Sequence, residues 1–190
     1  MELTNNLISP LANISLNVAM DGMTPMSFTI ERQLMSNWCW AASTVAICKY
    51  YNRSAFSQQQ IVAKVLNRPI CVGPLNPFCN VAADLGVALK MTGHLFGDPF
   101  EGPLEPNQLL SALQNRRVVG CQMLIPDLGG HVVVLVGAKN DAQGNLFVQV
   151  ADPSDGTQPF MPFTQFRNNF RATGGRWVRT YYTSPTSGLG

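Results

Sequence analysis

Residues 33–43 read QLMSNWCWAAS, and the segment that they open decides the fold. From Trp38 to residue 52 the apolar residues recur at helical spacing, which predicts a helix capped by Ser36 or Asn37. Cys39 then lies in the first turn, where unpaired backbone N–H groups and the helix dipole favour a thiolate. We therefore expect Cys39 to be a reactive nucleophile. The alternative is a buried cysteine that behaves as a small hydrophobe.

Three further helices are expected in the first half of the chain. They are predicted at 57–67, from an Asn80 cap to Met91, and from Pro106 to about Gln114, with a strand at 26–30 and a Pro- and Gly-rich loop at 69–79. Ser57 and Gln60 have the spacing of a capping box, and proline is well tolerated in the first turn of a helix. The first half of the chain is therefore predicted to be mainly helical.

The composition changes at Val118 to β-branched and aromatic runs separated by turn residues. Strands are predicted at 118–125, 131–138, 146–152 and 176–183, with a short helical turn within 162–170. The segment NDAQGN joins the second strand to the third and has the residues of a hairpin loop. Helices followed by an antiparallel sheet predict an α+β fold.

His131 begins the second predicted strand, directly after Gly129 and Gly130. If the hairpin turns near Ala142, Asp152 lies opposite His131 or one position away. Facing residues of paired strands have Cβ atoms about 5 Å apart, close enough for a carboxylate to accept from an imidazole N–H. Such a contact fixes the tautomer of the ring and stabilises the imidazolium. The sequence therefore predicts an Asp152–His131 pair, on the condition that the register holds.

The stretch from Gln33 to Ser43 resembles the nucleophile region of papain-like cysteine proteases. In that family a Gln stands six residues before the Cys, and Cys-Trp-Ala-x-Ser opens the central helix. The form SNWCWAAS is most similar to a compact bacterial branch, which includes a type III effector protease of plant pathogens and, more distantly, bacteriocin-processing peptidases. That branch continues with Gly-His before a Val/Ile run and with Asp-Pro after the next strand. Gly130-His131 and Asp152-Pro153 match these two motifs.

The resemblance implies a papain-like fold and a role for each matched residue. Cys39 attacks a carbonyl, His131 exchanges protons, Asp152 orients His131, and Gln33 helps to bind the oxyanion. Asp152 stands where plant papain carries an Asn, and Asn145 and Asp155 are less favoured orienting residues. Ser36 replaces a bridge-forming cysteine of the secreted papains. That replacement fits an enzyme of a reducing compartment.

The remaining cysteines and the second histidine receive plainer interpretations. Cys71 and Cys79 could form a disulfide or bind a metal with His94, but the spacing CVGPLNPFC lacks the short pairs of a structural zinc site. We predict free thiols there, no metal site and a surface position for His94. Cys48 and Cys121 are expected in the core.

Length and composition set the remaining limits. The chain of 190 residues is 46% hydrophobic and 13% charged, with a formal net charge of +2. These values favour one globular domain and give no support to nucleic-acid binding, and no apolar run is long enough for a membrane helix. The start of the chain lacks the pattern of a cleavable secretory signal. We expect a loose lead-in at 1–25, one catalytic domain at 26–184 and a flexible tail at 185–190.

The function predicted from these residues is hydrolysis of peptide bonds through a thioester acyl-enzyme, which requires no cofactor. The expected partners are protein or peptide substrates, and the expected state is a soluble monomer. From the resemblance we further expect a bacterial effector that is located in the bacterial cytoplasm or secreted into a host cell, with host proteins as partners. The same resemblance implies that self-cleavage removes residues 1–25. Two alternatives stay open: acyl transfer to an amine by the same residues, as in transglutamination, and a catalytically silent binding protein of the same fold.

Overall fold

The structure, a computed structural model, describes residues 27–51 and 56–185. The proposed lead-in at 1–25 and nearly all of the tail at 185–190 lie outside these residues. The described helices are α1 Cys39–Tyr50, α2 Gln58–Leu66, α3 Leu85–Thr92, α4 Pro106–Gln114 and α5 Phe163–Asn168. The strands are β1 Phe100–Glu101, β2 Val119–Ile125, β3 Gly129–Asn140, β4 Leu146–Ala151, β5 Phe160–Pro162 and β6 Arg176–Tyr182. Residues 27–30 form no strand, so the strand predicted at 26–30 is wrong over its described part.

The helical predictions are confirmed where local capping signals decided them. α2 begins after Ser57, which forms the predicted capping box with Gln60, and α4 has Pro106 in its first turn. The prediction for α3 is wrong at its start, because Asp84 rather than Asn80 accepts the capping hydrogen bond. The reason is that the Asn80 side chain is bound elsewhere: its carbonyl oxygen accepts from the backbone N–H of Asn37.

The six strands form one antiparallel sheet in the order β1-β6-β2-β3-β4-β5. Successive side chains of a strand point to opposite faces, so the run of valines in β3 supplies two cores. Val132, Val134 and Val136 pack with residues of α1, α2 and α3. Val133 and Leu135 belong to a second cluster with residues of α4 and α5. The predicted α+β architecture is therefore a sheet with helices on both faces.

The register of the β3–β4 hairpin differs from the prediction. Val134 faces Ala151, and the pairing shifts by one residue between Leu135 and Gly137. At this register Asp152 is offset by two positions from His131, so the predicted facing pair is wrong. The extra residue in β3 disrupts the hydrogen-bond ladder locally, as a β-bulge does. No residue of the hairpin loop predicts this shift in register.

Cys71 and Cys79 form a disulfide with a Cα–Cα distance of 5.7 Å, so the prediction of free thiols is wrong. Two short 3₁₀ helices, Pro69–Val72 and Pro77–Cys79, form the two ends of the loop and bring the cysteines within bridging range. Both cysteines are buried. The argument from cysteine usage for a reducing compartment therefore loses its basis.

The second histidine is also placed differently from the prediction. His94 is buried rather than at the surface, with Nδ1 in hydrogen-bond contact with the carbonyl of Ser184 at 2.9 Å and the ring stacked on Tyr51. Cys48 and Cys121 lie in the core as predicted. Within 27–51 and 56–185, no helix is both long and apolar enough to span a membrane.

Candidate active site

Cys39 is the first residue of α1, and the chain before it is held in place by a second loop. Trp38 stands at the N-cap position and makes no side-chain capping bond, so the predicted caps Ser36 and Asn37 are wrong. The Trp38 indole donates to the carbonyl of Cys79 at 2.7 Å. The side chain of Asn37 donates to the carbonyl of Asn80 at 2.9 Å. The bridged loop therefore fixes the start of the nucleophile helix.

His131 lies in β3 opposite Met123 and is stacked on the ring of Phe170, with centroids 6.4 Å apart. Its Nε2 contacts Oδ1 of Asp152 at 2.8 Å. A hydrogen bond between His131 and the Cys39 side chain raises the pKa of His131. Since Nε2 serves the carboxylate, Nδ1 is the nitrogen left for the thiol. One imidazole thus connects a thiol to a carboxylate.

The contact between His131 and Asp152 is present although the predicted register is wrong. Asp152 follows the last residue of β4, and its backbone forms an isolated bridge with Thr157. The amide of Ser154 donates to Oδ1 of Asp152, and the amide of Gly156 donates to its carbonyl. This turn carries the carboxylate to His131.

Burial and charge act on the two ionisable partners in opposite directions. Burial lowers the pKa of His131, but the hydrogen bonds to Asp152 and Cys39 and the charges of those groups outweigh it, and the pKa rises from 6.5 to about 9. Burial raises the pKa of Asp152, but the hydrogen bond and charge of His131, the Ser154 amide and the charge of Arg171 together hold it well below its usual value. At neutral pH the pair is therefore an imidazolium and a carboxylate.

The site is nearly enclosed. Cys39 is 8% exposed, and the side chains of His131 and Asp152 are 13% and 7% exposed. A thiol shielded in this way can form an ion pair with an imidazolium that water screens poorly. The arrangement can therefore supply a nucleophile, a proton donor and an orienting carboxylate.

Gln33 has its side-chain amide directed at the backbone before the nucleophile. Its Nε2 donates to the carbonyls of Met35 and Ser36 at 3.0 and 2.7 Å, and Oε1 is buried without a protein partner. The backbone N–H of Gln33 donates to the carbonyl of Pro153 at 2.7 Å. Gln33 thus links the nucleophile segment to the Asp152 turn, and its part in binding an oxyanion stays a prediction.

The two alternative orienting residues, Asp155 and Asn145, form hydrogen bonds with residues other than His131. Asp155 accepts from Thr157, and Asn145 bonds to Asp141 within the hairpin loop. Among the described residues, no group of three or more His, Cys, Asp or Glu could hold a metal ion. A surface cavity of about 370 Å³ is lined by other residues, namely Phe96, Asn107, Gln108, Ser111, Ala112, Asn115, Arg117 and Tyr182.

Sequence reasoning missed one residue of the site, Arg171. Its guanidinium bonds to Oδ2 of Asp152 and to the hydroxyl of Ser154. Arg171 lies 19 residues after Asp152 in the turn between α5 and β6. No periodicity or strand register relates the two positions, so the sequence held no signal for this contact.

This fold and this site define a papain-like cysteine protease. The family described as "Papain-like cysteine protease AvrRpt2" matches residues 22–171, and the chain belongs to that family. A comparison with curated protein sequences gives no match.

The solved structures to which the chain is similar are distant from it in sequence. The proform of the ragweed pollen allergen Amb a 11, a cysteine protease, is 13% identical with a TM-score of 0.50, over 83% of this chain and 62% of that one. The chain thus spans less than two thirds of the ragweed proform. The Pseudomonas avirulence protein AvrPphB is 10% identical with a TM-score of 0.40, over 83% of this chain and 97% of that one.

Proposed function

We propose that Cys39, His131 and Asp152 act as a catalytic triad that hydrolyses peptide bonds through a thioester acyl-enzyme. The observation that carries the proposal is the continuous set of contacts through His131, whose ring interacts with both Cys39 and Asp152. The raised pKa of His131 supports it, because the imidazolium is the form that stabilises a thiolate and protonates a leaving amine.

The reaction follows from these positions in two halves. The Cys39 thiolate attacks the peptide carbonyl carbon, and the imidazolium of His131 gives its proton to the leaving nitrogen as the C–N bond breaks. A thioester on Cys39 remains. The neutral imidazole then takes a proton from water, whose oxygen attacks the thioester carbonyl, and the carboxylic acid leaves from sulfur. Asp152 keeps the tautomer and orientation of His131 throughout.

The oxyanion of each tetrahedral intermediate needs hydrogen-bond donors near Cys39. We assign the backbone N–H of Cys39 and the side-chain amide of Gln33 to this role. Both amide hydrogens of Gln33 donate to carbonyls in the free enzyme, so one of them must turn toward the substrate. Removal of one oxyanion donor costs about a hundred- to a thousandfold in kcat. A Gln33→Ala variant that folds normally and keeps its full kcat would remove Gln33 from the mechanism.

The first experiment is mass spectrometry after exposure to E-64, an epoxide directed at papain-like thiolates. A single adduct on Cys39, absent in His131→Ala, supports a primed Cys–His pair. Cys48 and Cys121 serve as internal controls, because both thiols are buried and should stay unmodified. If iodoacetamide labels Cys39 no faster than an ordinary thiol, the proposed mechanism is wrong. The alternative of a catalytically silent binding protein with the same fold is then favoured.

Peptide hydrolysis and acyl transfer are separated by their products. Incubation with a peptide library and an excess of an alkyl amine gives free carboxylates if water resolves the thioester. It gives amide adducts if an amine resolves it. Cys39→Ala should abolish both kinds of product and leave the fold unchanged, since the exchange removes one sulfur atom. Turnover at the native rate in that variant would contradict the assignment of the nucleophile.

The proposed biological setting is a bacterial effector that acts as a monomer on host proteins after secretion. Membership of the AvrRpt2 family supports this setting. Self-cleavage near residue 25 belongs to the same proposal. Intact-mass measurement of active enzyme and of Cys39→Ala during incubation tests it: a mass loss in the active enzyme alone is expected, and unchanged full length in both contradicts it.

A further inference from the structure

The carboxylate of Asp152 has three partners, and two of them, the Ser154 backbone N–H and the Arg171 guanidinium, are outside the proposed triad. Oδ1 accepts from Nε2 of His131 at 2.8 Å and from the backbone N–H of Ser154 at 2.9 Å. Oδ2 is bound by the guanidinium of Arg171. Among the described residues, the side chains that form ion pairs with Asp152 are those of His131 and Arg171.

The bond to Oδ2 determines how the carboxylate is turned. The terminal torsion of an aspartate is broad and roughly twofold, so contacts at one oxygen leave the plane of the group poorly fixed. A charged donor on the second oxygen defines that plane. The direction in which Oδ1 faces His131, and with it the direction of the imidazole, therefore depends on where Arg171 stands.

Arg171 is itself held in an unfavourable backbone conformation. Its φ is 57°, and Ala172 follows at 56°. A residue other than glycine is disfavoured in this left-handed region and adopts it where the surroundings enforce it. Here the amide of Phe170 donates to the carbonyl of Gly175, and the amide of Gly174 donates to the Asn169 side chain. The turn thus holds Arg171 at a fixed position.

The same turn also supports the imidazole. The buried ring of Phe170 stacks on His131, while the guanidinium of Arg171 lies 5.4 Å from the centre of the Phe170 ring. Arg171 also bonds to the hydroxyl of Ser154, whose amide serves Asp152. One turn therefore contacts the histidine through Phe170 and the aspartate through Arg171.

We propose that Arg171 is a positioning residue for the active site, which fixes the plane of the Asp152 carboxylate and through it the orientation of His131 toward Cys39. The inference rests on the proposed function. Among the described residues, the Arg171 guanidinium bonds to Asp152 and Ser154 and not to Cys39 or the imidazole, so it acts through Asp152. The Arg171 side chain is 36% exposed whereas that of Asp152 is 7% exposed, so the test has to separate an effect on reactivity from one on folding. The expected effect of Arg171 is on the reactivity of Cys39.

The test uses alkylation of Cys39 by iodoacetamide, which needs no knowledge of the substrate. Without Arg171 the Asp152 carboxylate is less well oriented and stabilises the imidazolium of His131 less. Arg171→Ala should therefore lower the alkylation rate at pH 6 by about tenfold. This is the lower end of the loss seen when the partner that orients a metal-binding histidine is removed. At pH 10 every thiol near the usual pKa of about 8.5 is ionised, so the two rates should converge. Arg171→Lys keeps one charged donor and should lose less. A folding defect would lower the rate at both pH values.

A double-mutant cycle shows whether Arg171 acts through Asp152. In an Asp152→Ala background, adding Arg171→Ala should change the rate by less than about twofold, because the partner is already absent. Arg176→Ala, at an exposed arginine of β6, is the matched control and should behave as the native enzyme. Thermal unfolding of each variant checks that the fold is retained.

The outcomes separate this inference from the proposed function. If native Cys39 reacts at pH 6 as slowly as an ordinary thiol, the proposed function fails and the inference falls with it. If native Cys39 is fast and a folded Arg171→Ala is equally fast, the inference alone is overturned. A full tenfold loss that persists in the Asp152→Ala background also overturns it, since the effect would then not pass through Asp152.

Discussion

Reduction of the Cys71–Cys79 disulfide should lower the free energy of unfolding by an amount set by its loop. The sequence separation of 8 closes a loop of nine residues. The chain-entropy relation for a loop of this length gives about 2.6 kcal/mol at 25 °C, through the larger freedom of the reduced unfolded chain. With a urea m-value of about 2 kcal/mol/M, the unfolding midpoint should fall by about 1.3 M.

The measurement is urea unfolding of Cys39→Ala with and without tris(2-carboxyethyl)phosphine. The Cys39→Ala background removes the reactive thiol, so the reductant acts on this disulfide alone. Cys39→Ala/Cys71→Ala/Cys79→Ala is the matched control, and its midpoint should not respond to the reductant. A shift below about 0.2 M in the bridged protein would refute the reasoning, because an entropy term of this size has to appear if the loop is closed in the unfolded state.

Three further predictions concern the ionisable residues. Asp152→Ala should lower turnover strongly and Asp155→Ala should leave it unchanged, measured as kcat on any cleaved peptide; the reverse result would move the orienting role. The pKa of His131 is near 6.5 unfolded and about 9 folded, so its stabilisation is complete below pH 6.5 and is lost as the pH rises through 9. Urea unfolding at pH 6 and 9.5 should show a fall on the order of 2–3 kcal/mol that His131→Ala lacks, and an equal fall in both proteins would assign it to other groups. His94→Ala should lower the free energy of unfolding by about 1–3 kcal/mol through loss of its buried contacts, with Cys39 reactivity unchanged; native stability would contradict the buried position.

The sequence predicted the parts of the fold that local signals determine. The capping box at Ser57, the proline at the start of α4 and the apolar runs of the strands each act within a few residues, and the structure has those elements. The predicted start of α3 is wrong because a distant residue, Asn37, donates its backbone N–H to the side-chain oxygen of Asn80. A capping residue can be recognised from sequence only when nothing remote competes for its side chain.

The site was predictable in its residues and less so in its geometry. The position of Cys39 followed from the predicted helix, and that of His131 from the predicted strand. The contact between Asp152 and His131 instead arises from a turn beyond β4 and not from the predicted register. The shift in pairing near Val136 is not visible in an unbroken run of aliphatic residues. The Cys71–Cys79 disulfide and the contact of Arg171 with Asp152 both form because short turns bring these positions together. The spacing of the residues along the chain does not reveal such turns.

The uncapped start of α1 implies a compromise between helix stability and reactivity. A capping side chain at Trp38 would satisfy a free amide and stabilise the helix by about 1 kcal/mol. The same side chain would accept from an amide of the first turn and so weaken the attraction of that turn for a thiolate on Cys39. Trp38 is held instead through its indole, which anchors the chain from the side and leaves the amides of that turn available. A stabilising cap engineered at this position should therefore yield a tighter helix and a slower enzyme, the usual exchange where a site needs unsatisfied groups.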